Sequence, residues 1–312
     1  FTAERFAMRL ADRLCAPSHF IADWARDHYA LSERPAVIPY ALGPVESAPP
    51  PSPGKHLLYA GRIEPRKGVE SLILAFRRVL EIHPDATLRL AGADTAGAPD
   101  GGSLTAYLKS LLTDRERAAV RFLGKLDPDS LRTEYARASV CVIPSLWENF
   151  PNTCIEAMVH ARAVVVSDNG GMSEMIGATP AGLVHTAGDV TDLARALTTI
   201  LNESDEARTR RGLAGRTQIL QLCDPPTIAA ARINLFRDTI ERAHRCGLHD
   251  AVVSSKASDT HSSHDSSASA SSRPGGPKEC SHGWSESSSA TRGNIEMGSL
   301  APEGRRKSTN AQ

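Results

Sequence analysis

Long apolar runs are missing from this 312-residue chain. None approaches the roughly 18 consecutive apolar residues that a membrane-spanning helix needs, which excludes such a helix within these residues. An excess of either charge is missing too: lysine plus arginine number 36, and aspartate plus glutamate 36. A chain without net charge lacks the broad basic surface on which phosphate-driven nucleic-acid binding depends, so nucleic acid is not an expected partner. Cysteine is sparse. The six, Cys15, Cys141, Cys154, Cys223, Cys246 and Cys280, show no C-x-x-C spacing. That argues against structural zinc and a disulfide framework and fits a reduced, cytoplasmic setting. No secretory signal opens the chain, and the G-x-x-x-x-G-K-[ST] phosphate loop is absent. Large apolar residues nearly vanish from 247 to 312, where Ser, Gly, His and charge dominate. Such a stretch cannot bury enough surface to fold, and a disordered tail is expected there.

Between residues 55 and 246 two periodicities alternate. His56 to Ala60, Ala86 to Gly92, Val120 to Gly124, Ser139 to Ile143, Ala163 to Ser167 and Gly182 to His185 are short aliphatic runs of strand length. Helical stripes lie between them. Val69, Leu72, Ile73, Phe76, Val79 and Leu80 recur at three and four residues, as do Leu104, Tyr107, Leu108, Leu111 and Leu112. Pro128 to Ala138 reads as a short helix with Leu131 and Tyr135 inward, and Asp189 suits the cap of a helix carrying Leu193, Ala196, Leu197, Ile200 and Leu201. Strands alternating with helices predict an α/β fold with a doubly wound parallel sheet, because right-handed crossovers lay helices on both faces. Residues from Ser204 to about Cys246 read as further helix, broken at Asp224-Pro225-Pro226, with Ile228, Ile233, Phe236 and Ile240 expected to pack.

Open parallel sheets bind ligands beyond the carboxyl ends of their strands. Two of these ends carry pointed chemistry. After the Ser139–Ile143 strand comes Pro144-Ser145-Leu146-Trp147-Glu148-Asn149-Phe150-Pro151-Asn152-Thr153-Cys154-Ile155-Glu156, with two glutamates around a strand-to-helix turn. With Thr153 as the helix cap, Glu156 falls in the first turns, and both carboxylates are expected to face one crevice. A carboxylate only accepts hydrogen bonds, which suits neighbouring hydroxyls on a sugar or ribose. An acid near a helix start also has a plain electrostatic explanation in the helix dipole. After His56–Ala60 the chain reads Gly61-Arg62-Ile63-Glu64-Pro65-Arg66-Lys67-Gly68 and then enters a helix. Strand, glycine, cations, glycine, helix is a phosphate-facing order, although an ordinary charged loop has the same letters. Gly170-Gly171 is either a turn or a close backbone approach whose amides reach a sugar or phosphate oxygen.

Together these residues resemble the retaining glycosyltransferases of family 4, which have the GT-B fold. Glu148 and Glu156 match the family's E-x7-E spacing, and Gly61 to Gly68 its diphosphate loop. Phe122-Leu123-Gly124 resembles the position whose backbone lies near the nucleotide base, and Gly170-Gly171 followed by Glu174 resembles the Gly-Gly before a short helix. The resemblance implies Arg62 and Lys67 on the donor diphosphate, Glu148 on donor-sugar hydroxyls and Glu156 on the ribose, with Glu148, Arg62 and Lys67 as the catalytic set. Gly61, Leu123, Gly170, Gly171 and the Asn149, Phe150, Pro151, Asn152 and Thr153 backbone complete the implied donor site. Where the usual loop has glycines around the phenylalanine, Asn149 and Pro151 stand here, and Pro151 has no N–H to offer. With two cations on the leaving diphosphate, no metal or other cofactor is expected. The implied donor is a UDP-, GDP- or ADP-sugar. The implied acceptor is a glycan, lipid or small molecule, and a lipid would bring the chain to a membrane surface.

Family members set two Rossmann-like domains around the active-site cleft. Here Thr2 to Leu10 and Ser18 to Tyr29 read as helices and Arg13 to Ala16 as a short strand, before Pro35 to Pro39 and the stiff, turn-rich Pro49-Pro50-Pro51-Ser52-Pro53-Gly54. Residues 1–54 are therefore expected to be a remnant of the acceptor domain plus a linker, 55–246 the Rossmann-like C-terminal domain that binds the nucleotide sugar, and 247–312 the tail. His19, His28, His83, His160 and His185 have no partner motif. Retaining hexosyl transfer is the expected function. A nucleotide-sugar-binding module without catalysis is one alternative. A glycosidase using Glu148 and Glu156 as acid and nucleophile is another.

Overall fold

The computed structural model describes residues 2–245; the expected tail lies outside the described residues. The first segment holds α1 (Thr2–Leu10), β1 (Cys15–Ala16), α2 (His19–Tyr29) and β2 (Ala36–Val37), with β1 and β2 paired in parallel. There follow β3 (His56–Ala60), a 3-10 turn (Pro65–Lys67), α3 (Val69–Ile82), β4 (Thr87–Ala91), α4 (Leu104–Ser110), α5 (Asp114–Ala119), β5 (Val120–Gly124), α6 (Pro128–Arg137) and β6 (Val140–Ile143). The remainder is α7 (Asn152–Val159), β7 (Ala163–Ser167), α8 (Met172–Ile176), β8 (Gly182–His185), α9 (Val190–Leu201), α10 (Asp205–Leu222) and α11 (Pro225–Arg245).

The sheet is parallel throughout, in the order β5-β4-β3-β6-β7-β8. Counted from β3, that is the doubly wound order 3-2-1-4-5-6. Every residue of β6 and β7 is buried. Alternate side chains fill two cores: Leu57, Tyr59, Leu88, Leu90 and Val142 pack with α3 and α9, whereas Leu58, Cys141, Ile143 and Val166 pack with α7, α8 and α10. The α3 stripe supplies much of the first core, with Val69, Leu72, Phe76 and Val79 at most 1% exposed. Each such side chain contributes roughly 1.5–3 kcal/mol by leaving water.

Two expectations need correction. The stripe over Leu104–Leu112 ends its helix at Ser110, and a separate α5 begins because Thr113 and Glu116 form a reciprocal capping box. On α11, Ile228 is buried, but Ile233, Phe236 and Ile240 are 48%, 64% and 57% exposed. Ala231, Leu235, Thr239 and Ala243 line the half-buried side of that helix instead. Its far end is held by Arg242, which donates to Glu33 at 2.8 Å. Arginines also pin the segment before β3: Arg162 and Arg216 donate to the carbonyls of Pro49 and Glu46, and Arg208 to that of Gly54.

Candidate functional site

Winding reverses between β3 and β6, so the loops leaving these two strands diverge over a crevice, the usual ligand position in such a sheet. They are the two loops that carry the sequence motifs. The first closes through the 3-10 turn, where Gly68 adopts φ 67° and starts α3. A Cβ there would lie 2.0 Å from the Pro144 carbonyl oxygen, so glycine lets the two loops touch. Leu146 N–H donates to the Arg66 carbonyl at 2.8 Å, and Arg66 Nη1 donates to the Trp147 carbonyl at 2.9 Å.

This contact brings Lys67 and Glu148 together. Lys67 Nζ donates to Oε1 of Glu148, and Arg66 Nη1 lies 3.4 Å from the same oxygen. The Glu148 side chain is 8% exposed and that of Lys67 15%. A carboxylate so deeply placed needs its cations. Among the described residues no hydrogen bond or ion pair falls on Oε2, which can accept from a ligand. The glutamate backbone is fixed from the other side, its N–H donating to Asn169 at 3.2 Å in a one-residue bridge to Gly170.

Arg62 stands apart. Its side chain is 64% exposed, 3.2 Å from Glu64, while Arg66 shares that glutamate at 2.9 Å. Buried Tyr59 braces the Arg62 carbonyl through a 2.6 Å hydrogen bond, and burial pushes its phenol well up. Gly61 spends its N–H on the Ala91 carbonyl at 2.9 Å. Arg66, Glu64 and Tyr59 were not singled out from sequence; Arg66 and Glu64 lay inside the motif, but only the fold shows which cation reaches the acid.

Along α7 the structure revises the cap. The helix starts at Asn152, and the cap position is Pro151 (φ −71°, ψ 131°) without a side-chain cap, so Thr153 lies inside the first turn. Proline's fixed φ suits that position. Among the described residues the N–H groups of Asn149, Phe150, Asn152 and Thr153 find no acceptor, leaving helix-terminus donors at the crevice despite Pro151. Glu156 is half-buried and accepts from the Tyr135 hydroxyl at 2.9 Å on Oε2. Burial raises its carboxyl above the usual range. The two glutamates are thus engaged by different elements, Glu148 by the β3–α3 loop and Glu156 by α6.

Gly171 departs from expectation. Its N–H donates to the Asn149 and Glu148 carbonyls at 3.0 and 3.3 Å and is not available to a ligand. Gly170 holds φ 135°, where a Cβ would meet the Glu148 carbonyl oxygen at 1.9 Å, so the pair props the glutamate loop. Leu123 is partly buried at the end of β5, two strand spacings or about 10 Å from β3.

The first segment rests on the same loops. Glu174 of α8 accepts from the His19 and Phe20 N–H groups at 2.7 and 2.6 Å, closing the start of α2 that Ser18 caps. Trp24 meets Trp147 edge-on with centroids 5.8 Å apart, and Tyr40 meets Phe150 at 5.6 Å. Among the described residues no group of three or more His, Cys, Asp or Glu side chains is arranged so that it could hold a metal ion.

A doubly wound α/β domain with an acid–cation cluster at its switch point is the class that fold and site define. The chain belongs to the glycosyl transferases group 1 family, whose model matches residues 46–218. It is 32% identical over 180 residues to a glycogen synthase of Mycobacterium tuberculosis, a match covering 58% of this chain and 42% of that protein. The chain therefore spans less than half the length of this curated relative. Among solved structures, sucrose-phosphate synthase from Thermosynechococcus elongatus superposes with a TM-score of 0.63 at 24% identity, over 77% of this chain and 61% of that one. Anabaena HepE, solved in complex with UDP, gives 0.61 at 19%, over 74% and 65%. The parallel sheet and its helices match the Rossmann-like domains of GT-B enzymes.

Proposed function

We propose that this chain carries the donor-binding half of a retaining glycosyltransferase that takes a sugar from a nucleotide-diphosphate donor. The observation that carries the reading is the Lys67–Glu148 contact at the β3/β6 switch point, one cation and one acid held together under a helix start with free N–H groups. In this reading Lys67 and those N–H groups receive the diphosphate, aided by Arg62 and without a metal. The free Oε2 of Glu148 accepts from a sugar hydroxyl, and Glu156 accepts from the ribose. Transfer breaks the bond between the anomeric carbon and the diphosphate oxygen and forms one to the acceptor oxygen. The acceptor's proton passes to the diphosphate or to solvent. Charge gathers on the diphosphate as it leaves, and preorganised donors there are worth most in the transition state.

The testing experiment is a thermal-shift panel of UDP, GDP, ADP and their sugars, followed by transfer assays on glycan, lipid and small-molecule acceptors. Specific binding raises apparent stability by mass action. Stabilisation by one nucleotide family with turnover supports the reading, and stabilisation without turnover on any acceptor leaves a nucleotide-sugar-binding module. Hydrolysis of aryl glycosides without nucleotide would replace it with a glycosidase.

A further inference from the structure

The contact between α6 and α7 joins a residue outside the motifs to a glutamate within them. Tyr135, 2% exposed, reaches from α6 and donates to Oε2 of Glu156 at 2.9 Å. Its ring is stacked on His160, centroids 4.9 Å apart and planes 13° apart, so the hydroxyl has little freedom to swing away. Buried tyrosines generally find a partner. This one has chosen a half-buried carboxylate, a group that apolar surroundings drive toward its neutral form. The titratable groups facing that carboxyl are few: Tyr135 from α6 and Cys141 from β6, with His160 one turn further along α7. Arg162 lies beyond, its guanidinium engaged by the carbonyls of His160, Ala136, Ala138 and Pro49. Among the described residues only Tyr135 hydrogen-bonds the Glu156 carboxyl.

We propose that Tyr135 is a positioning residue for the donor site: by donating to Oε2 it holds the Glu156 carboxylate in one orientation and leaves Oε1 as the acceptor for a ribose hydroxyl. The proposal rests on the ribose role of Glu156 and adds to it a dependence of nucleotide affinity on pH. The sign follows from the two opposing influences. Burial raises the Glu156 carboxyl, and the Tyr135 hydrogen bond lowers it. Removing the hydroxyl leaves burial unopposed, so the carboxyl ionises at higher pH and binding is lost from the acid side upward.

The test is titration of UDP, GDP and ADP against the wild-type chain, Tyr135→Phe and Glu156→Gln over a series of pH values running upward from the ordinary carboxylate range. The diphosphate's own titration is common to all three proteins and cancels between them. Tyr135→Phe is expected to move the rising limb of affinity to higher pH and so to weaken binding at any pH on that limb. Glu156→Gln is expected to abolish the limb. An unmoved limb in Tyr135→Phe, or tighter binding, with Glu156→Gln still abolishing it, overturns the role of Tyr135 and leaves the ribose role of Glu156 standing. A limb that survives in Glu156→Gln removes the ribose role itself. Should Tyr135→Phe fail to fold, 3-fluorotyrosine placed at position 135 keeps the shape while strengthening the donor. The limb must then move to lower pH, and an unmoved limb overturns the proposal.

Discussion

Lys67 and Glu148 neutralise each other in a place where neither charge is well solvated, and this decides what single changes do. Lys67→Ala should weaken nucleoside diphosphate binding by about 1.5–3 kcal/mol, the range for hydrogen bonds to charged groups, while leaving nucleoside affinity nearly unchanged. Calorimetric titration of both ligands checks it; equal losses would take Lys67 off the phosphate. Glu156 makes the opposite kind of prediction. Its raised carboxyl means that the folded state holds the proton more tightly than the unfolded chain, so stability falls as pH rises from the ordinary glutamate value of 4.5 through the higher folded value. Glu156→Gln should therefore raise the melting temperature at neutral pH, with the gain shrinking as pH falls through the raised folded value and gone below about pH 4.5, while nucleotide affinity drops. A melting temperature that falls at pH 7 contradicts this. The motif letters named both glutamates and Lys67, but not Arg66, because nothing local says that Arg66 as well as Lys67 points at Glu148, 81 residues beyond the lysine.

At the scale of elements, the crevice depends on close loop contacts. Gly68→Ala would place a methyl 2.0 Å from the Pro144 carbonyl at φ 67°. The β3–α3 loop must then shift, at a cost of roughly 1–3 kcal/mol. Thermal melting should show the loss, and nucleotide binding should weaken with it; an unaltered melting point would mean that the loops do not touch as described. Glu174 closes the start of α2 with two charge-assisted hydrogen bonds, and a lost cap typically costs about 1 kcal/mol. Glu174→Ala should speed proteolytic cutting between α2 and β3, read by mass spectrometry against the wild-type chain. Periodicity recovered the six strands and most helices because it depends on neighbours in sequence. It misjudged Ile233, Phe236 and Ile240 because an apolar position says nothing about whether a partner reaches it. The Thr153 cap failed for a related reason: Pro151 had already set the backbone of the preceding turn.

Across the whole molecule, strand order converts distant letters into a site. The Gly61–Gly68 and Pro144–Glu156 motifs meet because β3 and β6 are neighbours at the reversal of winding. Gly170 joins them because β7 is the next strand, and its loop bridges to Glu148. Leu123, on β5, stays two strands away. Sequence alone determined the α/β class, the residues of the strands and the kinds of side chain at their carboxyl ends, since each depends on composition and spacing over a few residues. Tertiary structure decided that Arg66 and Lys67, rather than Arg62, reach Glu148. It decided also that the Gly171 amide is consumed within the protein and that Tyr135 holds Glu156. Those outcomes depend on which segments pack together, and short hydrogen bonds and burial exist only once packing has chosen the neighbours.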